Sequence, residues 1–545
     1  MDRKRTFAIA GALVGLACTV QAWTIGRAVV PAQDSIRYLI VAQAMARDGL
    51  LTTLRTQREQ PLFPALVCLS HTVLQRAGMT DETHWAASLQ LAAALPLVLA
   101  VVPVYLLFRR LVGPRAALCG GVFFCLAGNL ARLGADGLAD STHLLFFFLA
   151  LWAATEYFVS PSARPAWLAL AGVFIGIALL ARAEAIVIPP AVAATLAWRH
   201  WTRARRPSLA ATAAAASTLA LGALGVVAPF LAVCGETRFD GALARVLGRQ
   251  GAIEARPLNV PFSHQELRKP VESHWYLEGE GWLSFGRKDF SLTSRVRGWP
   301  AAIREFAVEI GKAFQYWLGG LALLGLWRLR ARRARAVDRL AQFAAAILTG
   351  ASLYVAATSG YLSSRHLLAL LVLGLGCAGA GVIEVANWCA IAARRAAPAL
   401  WWVTLSRSGA MFLACAACTP ALARPLHASR AGHRQAAEWL ARHAAGEEVV
   451  LDSRGWTSLY TGLVTYRYEA AQTAMGDPKL AYVVVEQEEL DADSRRGETL
   501  RLLAGQAMEP LARFAAQGAK DKQQVVVHRW HPDRFRQLEE RIHAR

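Results

Sequence analysis

The chain has 545 residues, 55% of them hydrophobic, and a mean hydropathy of +0.31, too apolar for one soluble domain and far longer than a single anchor needs. Its formal net charge of +20 raises nucleic acid as a partner, yet the arginines are dispersed between apolar runs without the aromatic interleaving of a nucleic-acid surface. Positive-inside topology in a polytopic membrane protein explains the charge instead, so a lipid bilayer is expected as partner and nucleic acid is not.

A span needs about 17 to 25 mostly apolar residues, and the chain offers about eleven such runs: 6–26, 86–108, 116–131, 140–158, 166–181, 184–198, 208–232, 309–327, 340–358, 367–392 and 399–421. Residues 6–22 also fit a cleaved signal peptide, with Val20-Gln21-Ala22 as its small-residue site. Taking the loops alternately, one set carries Arg3 to Arg5, Arg109, Arg110, Arg115, Arg164, Arg199 to Arg206, Arg328 to Arg339, Arg394 and Arg395. Those loops read as cytoplasmic, and so does the N-terminus. The other set holds the long segments 27–85, 233–308 and everything after 421, so function is expected on that outer side. Cys415 and Cys418 have the spacing of a redox or metal pair but sit within an apolar run, where small packing residues are the better reading.

The loop after the first span opens with Gln33-Asp34-Ser35-Ile36-Arg37-Tyr38. Tyr38, Ile40, Val41, Ala44 and Met45 recur at helical spacing, with Arg37, Arg47 and Asp48 on other faces, the pattern of a helix lying in the membrane plane. Gly49 is expected to end it, and Pro61 and Pro64 to introduce a second short helix through Leu66 and Leu69. Asp34 is placed to cap the first of these helices, or to serve as a base at the membrane surface. Asp136 and Asp140 stand in the same relation to the fourth span.

In 233–308, Trp275, Tyr276 and Trp282 suit sugar stacking as well as a headgroup-level belt. After 421 the pattern changes to a small α/β unit. His433 to His443 reads as an amphipathic helix burying Ala436, Ala437 and Leu440. Glu448 to Asp452, Ala481 to Val485 and Gln524 to Val527 read as strands buried between helices, with 495–515 and 532–544 as further helices. The expected fold is mainly α: a transmembrane region over 1–421 and a small extracytoplasmic α/β domain over 422–545.

An Asp shortly after the first span, a Tyr four residues later, a juxtamembrane helix and then Pro61-Leu62-Phe63-Pro64 together resemble the first outer loop of the GT-C type glycosyltransferases. That superfamily includes the protein O-mannosyltransferase and lipid A aminoarabinose transferase branches. Arg132-Leu-Gly-Ala-Asp136-Gly-Leu-Ala-Asp140-Ser-Thr-His143 resembles their outer acidic segment, and Leu170-Ala-Gly172 through Arg182-Ala-Glu184 their Leu-Ala-Gly…Arg-Pro-Glu stretch, with Ala183 in place of Pro. Tyr361-Leu-Ser-Ser-Arg365-His366 resembles their outer Arg-Tyr element, with His366 in place of Tyr.

The resemblance implies transfer of a sugar from a polyprenyl-phosphate donor to a glycan, lipid or protein acceptor outside a bacterial plasma membrane, by inverting single displacement with Asp34 as general base. It implies Asp136 and Asp140 as a second acidic site. Guanidinium binds phosphate in a bidentate manner, which makes Arg58, Arg132, Arg182 and Arg365 candidates for the donor phosphate, and Arg365 is favoured from its place in the element that resembles the family's outer Arg-Tyr. Tyr38, Glu184, Tyr361, Trp275 and Tyr276 are expected at the sugar or acceptor. No cofactor is required, while a divalent cation between Asp34 and Asp136 or Asp140 stays open. The rival reading is a polytopic transporter or flippase, for which Glu156 and Glu384, near or within spans, are the ionisable candidates.

Overall fold

The computed structural model describes residues 3–57, 59–79, 84–160, 164–202, 208–235, 298–330, 335–359, 362–396, 400–423, 425–515 and 524–543. Arg58, Trp275, Tyr276, Trp282 and Tyr361 lie outside them.

Each expected apolar run overlaps helix among the described residues. The bundle comprises α1 (Arg3–Arg27), α5 (His84–Leu111), α6 (Pro114–Leu126), α7 (Gly128–Asp136), α8 (Asp140–Val159), α9 (Ala166–Ala181), α10 (Ile188–Thr202) and α11 (Leu209–Val233). It continues with α12 (Trp299–Ala313), α13 (Trp317–Leu329), α14 (Ala336–Ser359), α15 (Leu368–Ala396) and α16 (Leu400–Ala416). Before α5 lie three shorter helices, α2 (Ser35–Asp48), α3 (Leu50–Thr56) and α4 (Leu62–Arg76). Among the described residues six helices are individually long and apolar enough to cross a membrane, or seven if α6 and α7, bent by 46°, form one span.

Two expected spans are broken. The run 116–131 bends at Ala127, where the backbone turns extended between α6 and α7. The run 309–327 is interrupted at Gln315 and Tyr316, both at positive φ. Gly311 lets this happen: a Cβ there would lie 2.9 Å from the Tyr316 ring that folds back over it.

Close helix packing rests on small residues, as expected where lipid supplies no hydrophobic drive between helices. A Cβ on Gly172 would sit 2.2 Å from the Leu219 carbonyl oxygen, and one on Gly222 2.5 Å from that of Ala169. The glycine of the Leu-Ala-Gly stretch is therefore where α9 and α11 cross backbone to backbone.

The bundle has two chemically distinct ends. At one, Arg109 donates to Thr6 (2.8 Å), Arg110 chelates Glu156 (2.9 and 2.8 Å), Arg335 donates to the Leu111 carbonyl (3.0 Å), Arg328 pairs with Glu384 (3.3 Å) and Arg339 lies over Trp198. Glu156 and Glu384 are thus partners of the basic end. At the other end gather the C-terminus of α1, the start of α8, the Arg182 joint after α9 and the turn before α15.

The C-terminal region carries a five-stranded sheet: β1 (Val449–Asp452), β2 (Thr465–Arg467), β3 (Leu480–Glu486), β4 (Met508–Phe514) and β5 (Val525–Trp530), in the order β2-β1-β3-β5-β4. β1 runs parallel to β2 and β3, whereas β5 is antiparallel to β3 and β4. Side-chain alternation makes two cores: Val450, Val484 and Val527 pack on Ala436 and Leu440 of helix Ala431–His443, while Leu451, Val483 and Val485 face Leu500, Leu503 and Leu538. The helix expected over 495–515 stops at Gln506, and the next residues form β4. Pro510 explains this, since it breaks a helix interior but is tolerated in an edge strand at a register shift.

Candidate active site

Asp34 stands at the N-cap position of α2, yet its side chain makes no capping hydrogen bond. Instead it accepts from Arg365 Nη1. The carboxylate is therefore turned out of the helix and into a cavity of about 340 Å3, lined by Asp34, Arg37, Tyr38, Glu59, Gln60, Arg182, Ala183, Glu184, Ser363, Arg365 and His366. α2 ends at Gly49, whose φ of +83° suits glycine, and α4 begins after Pro61. The two helices meet through Tyr38 and Phe63, whose rings pack edge to face at 5.0 Å.

Both principal arginines sit at joints outside the α-helices. Arg182 is extended (φ −158°, ψ 146°) between α9 and the 3-10 turn Ala183–Val187. Arg365 lies in the 3-10 turn Ser364–Leu367, where Ser363 Oγ accepts from Arg365 N (3.4 Å) and Ser363 N donates to His366 Nδ1 (3.2 Å). A joint of this kind aims a side chain across the bundle end, where a continuing helix would aim it along a flank.

Asp140, in the first turn of α8, is the anchor beneath the cavity. It is buried, and its two oxygens accept from Arg365 Nη2 (2.8 Å) and Arg182 Nη1 (2.8 Å). Arg182 Nε also donates to both oxygens of Glu184 (3.0 and 3.1 Å). Arg37 closes the opposite wall through Glu59 at 2.6 Å. Arg365 Nε is buried without a partner among the described residues, so the guanidinium that bridges Asp34 and Asp140 does not use all of its donors on them. Burial pushes the Tyr38 phenol up to about 12 against the opposing charge of Arg182, so it is a neutral donor at physiological pH.

Of the expected residues, Asp34, Tyr38, Asp140, Arg182, Glu184 and Arg365 converge here. Asp136 and Arg132 do not: Asp136 pairs with His427 (2.8 Å), and Arg132 lies 3.8 Å from Asp136. Asp34 and Asp140 meet across a guanidinium already hydrogen-bonded to both, an arrangement that does not fit a divalent cation between them. Arg37, Glu59 and Gln60 went unassigned in the sequence, although Arg37 lies three residues from Asp34 and so on the same helical face.

A family model described as dolichyl-phosphate-mannose-protein mannosyltransferase matches residues 61–232, a stretch that includes Asp140, Arg182 and Glu184. Among solved structures, ArnT from Cupriavidus metallidurans bound to undecaprenyl phosphate matches at 16% identity with a TM-score of 0.58, over 95% of this chain and 97% of that one. The chain shares the fold of that structure. A second neighbour, the apo oligosaccharyltransferase of Archaeoglobus fulgidus, matches at 12% identity with a TM-score of 0.54, over 93% of this chain and 73% of its own. A further structure from that organism, the oligosaccharyltransferase AglB in complex with an inhibitory peptide and a dolichol-phosphate, matches at 12% identity with a TM-score of 0.50, over 96% and 75%. None of the curated proteins compared matches the sequence. The long apolar helices and the shared fold are those of a multi-pass membrane protein, and the cavity lies at the bundle end that carries the C-terminal sheet.

Proposed function

We propose that this protein is a bacterial inner-membrane glycosyltransferase that takes a sugar from a polyprenyl-phosphate donor on the extracytoplasmic side and passes it to a glycan, lipid or protein acceptor. The observation that carries the reading is the Arg365 fork: one guanidinium bound to a buried carboxylate, Asp140, and to an exposed one, Asp34. The basic end of the bundle faces the cytoplasm by the positive-inside rule, which leaves the cavity and the C-terminal sheet outside. The family-model match and the solved neighbours that hold polyprenyl phosphates support the donor class.

In this reading Asp140 keeps Arg365 oriented through Nη2, while the donor phosphate takes the place of Asp34 at Nη1 in a charge-assisted hydrogen bond. Asp34 is thereby released from Arg365 as the donor settles. The acceptor oxygen attacks the anomeric carbon, the bond from that carbon to the phosphate oxygen breaks, and its electron pair leaves with the lipid phosphate. The acceptor proton passes to the Asp34 carboxylate. The leaving group is already an acidic phosphate, so an inverting displacement needs no second carboxyl as acid. The transporter reading has no counterpart among these matches, and its two span carboxylates pair with arginines of the basic end.

The test is turnover by the full chain in lipid nanodiscs with tritiated undecaprenyl-phosphate mannose, glucose, galactose and arabinose, alongside Asp34→Asn. Release of label from one donor by the wild type, lost in the variant, is the expected result. Equal release by both would remove Asp34 from the mechanism, and no release from any donor would remove the donor class.

A further inference from the structure

The stretch leading from α1 to Asp34 is stitched to the C-terminal region at alternate residues. Val29 N donates to the Leu426 carbonyl (3.2 Å), and the Val29 carbonyl accepts from the Tyr460 hydroxyl (3.4 Å). The Pro31 carbonyl accepts from the Trp456 indole (3.1 Å), and Gln33 Oε1 from Arg454 Nη1 (2.8 Å). Asp34 is the next residue.

Arg454 is itself held from behind. Its Nε and Nη2 donate to the two oxygens of Glu486 (2.6 and 2.8 Å), and its backbone N–H to Asp452 Oδ1 (2.9 Å). Glu486, at the end of β3, is 3% exposed and also accepts from Arg430 Nη1 (2.9 Å), with His433 Nε2 at 2.7 Å. A guanidinium chelated along one edge by a buried carboxylate has its rotamer fixed, and the remaining nitrogen projects in one direction only. That direction is Gln33. The cluster is more than the sheet needs for its own core, because Arg454 crosses to the membrane-proximal stretch.

We propose that Arg454 is a positioning residue for the Asp34 carboxylate, acting through Gln33 and held in place by Glu486; this rests on reading Asp34 as the base. A purely structural ion cluster would affect unfolding and leave the ratio of kcat to KM effects unspecified. A positioning residue affects kcat through its partner, because misplacing a reacting group by an ångström costs rate while donor contacts persist.

The experiment uses the full chain in nanodiscs as wild type, Arg454→Ala, Gln33→Ala, the double variant and Asp34→Asn. It reads steady-state kinetics with whichever of the four undecaprenyl-phosphate sugars the wild type turns over, together with amide hydrogen exchange over 29–37. Arg454→Ala and Gln33→Ala are each expected to lower kcat about ten- to hundredfold with little change in donor KM. The double variant should be no worse than the worse single one, and exchange at Ile36 and Arg37 should quicken in both. Gln33→Ala keeps the test valid if Arg454→Ala perturbs folding, since it leaves the sheet region intact. Wild-type kcat in Gln33→Ala, or losses that multiply in the double variant, would overturn the proposal. Full activity in Asp34→Asn would overturn only the assignment of the base, and absence of turnover with every donor only the donor class; the exchange data would still decide whether Arg454 orders the stretch.

Discussion

Asp34 and Asp140 share one guanidinium from opposite sides of the solvent boundary: the Asp34 side chain is 61% exposed and that of Asp140 is 4% exposed, and Arg365 donates to both. The buried partner is the costlier to lose, so an arriving anion displaces Asp34 first. Arg365 therefore holds the candidate base in check at Nη1 while Asp140 holds Arg365 itself in place at Nη2.

Asp34→Asn tests the base directly. Turnover is expected to fall by about two to four orders of magnitude, while affinity for undecaprenyl phosphate stays level or rises because Arg365 loses a competitor. Isothermal titration beside label release separates the two effects; weakened lipid binding with intact turnover would contradict both.

Asp140→Ala removes the anchor and leaves Arg182 and Arg365 facing each other without their shared counter-charge. A loss of about 3–5 kcal/mol is expected, as for a buried pair broken on one side, seen as a lower unfolding midpoint together with a raised donor KM. An unchanged midpoint would mean that water replaces the carboxylate at no cost.

Arg365→Lys keeps the charge but loses the planar fork. One ammonium cannot hold Asp140 and a phosphate in the fixed directions of two guanidinium nitrogens, so donor KM should rise by about tenfold or more. Retention of wild-type KM would transfer the phosphate to Arg37 or Arg182.

Glu486 makes the stability of the C-terminal region depend on pH. Burial pushes its carboxyl up, but hydrogen bonds from Arg454 and His433, with their charge, outweigh burial and hold it well below the usual 4.5. A carboxyl lower in the folded than in the unfolded state stabilises the fold above the unfolded value, and that contribution fades as pH falls through 4.5 and below. Unfolding midpoints measured from about pH 3 to pH 7 should therefore drop on the acid side in the wild type. Glu486→Gln should show a flatter profile; identical slopes would assign the acid sensitivity to other carboxylates.

Much of the membrane region was legible because lipid imposes length and apolarity on every span. Gly49 and Pro61 marked helix ends through backbone geometry alone. Asp34, Asp140, Arg182 and Arg365 were found by resemblance, whereas their mutual contacts span up to 331 residues of sequence and leave no local trace. Asp136 looked equivalent to Asp140 in the sequence, but the three residues between them include Gly137 at φ +65°, which turns the chain and sends the two carboxylates to different partners. β4 was missed because Met508 to Phe514 lacks the continuous apolar run of β3, being an edge strand with an exposed face. Arg454 gave no signal, since its role depends on Gln33 far away in the chain.

The stitching of residues 29–33 sets a rule for sequence change in this stretch. Val29 and Pro31 hydrogen-bond to the C-terminal region, and Ala32 to Asp136, through main-chain atoms; of these hydrogen bonds only that of Gln33 comes from a side chain. Main-chain contacts ignore side-chain identity but count residues. The join should therefore accept substitutions at Val29 and Ala32 more readily than the gain or loss of a single residue, which would shift every contact by one place and turn Asp34 away from Arg365.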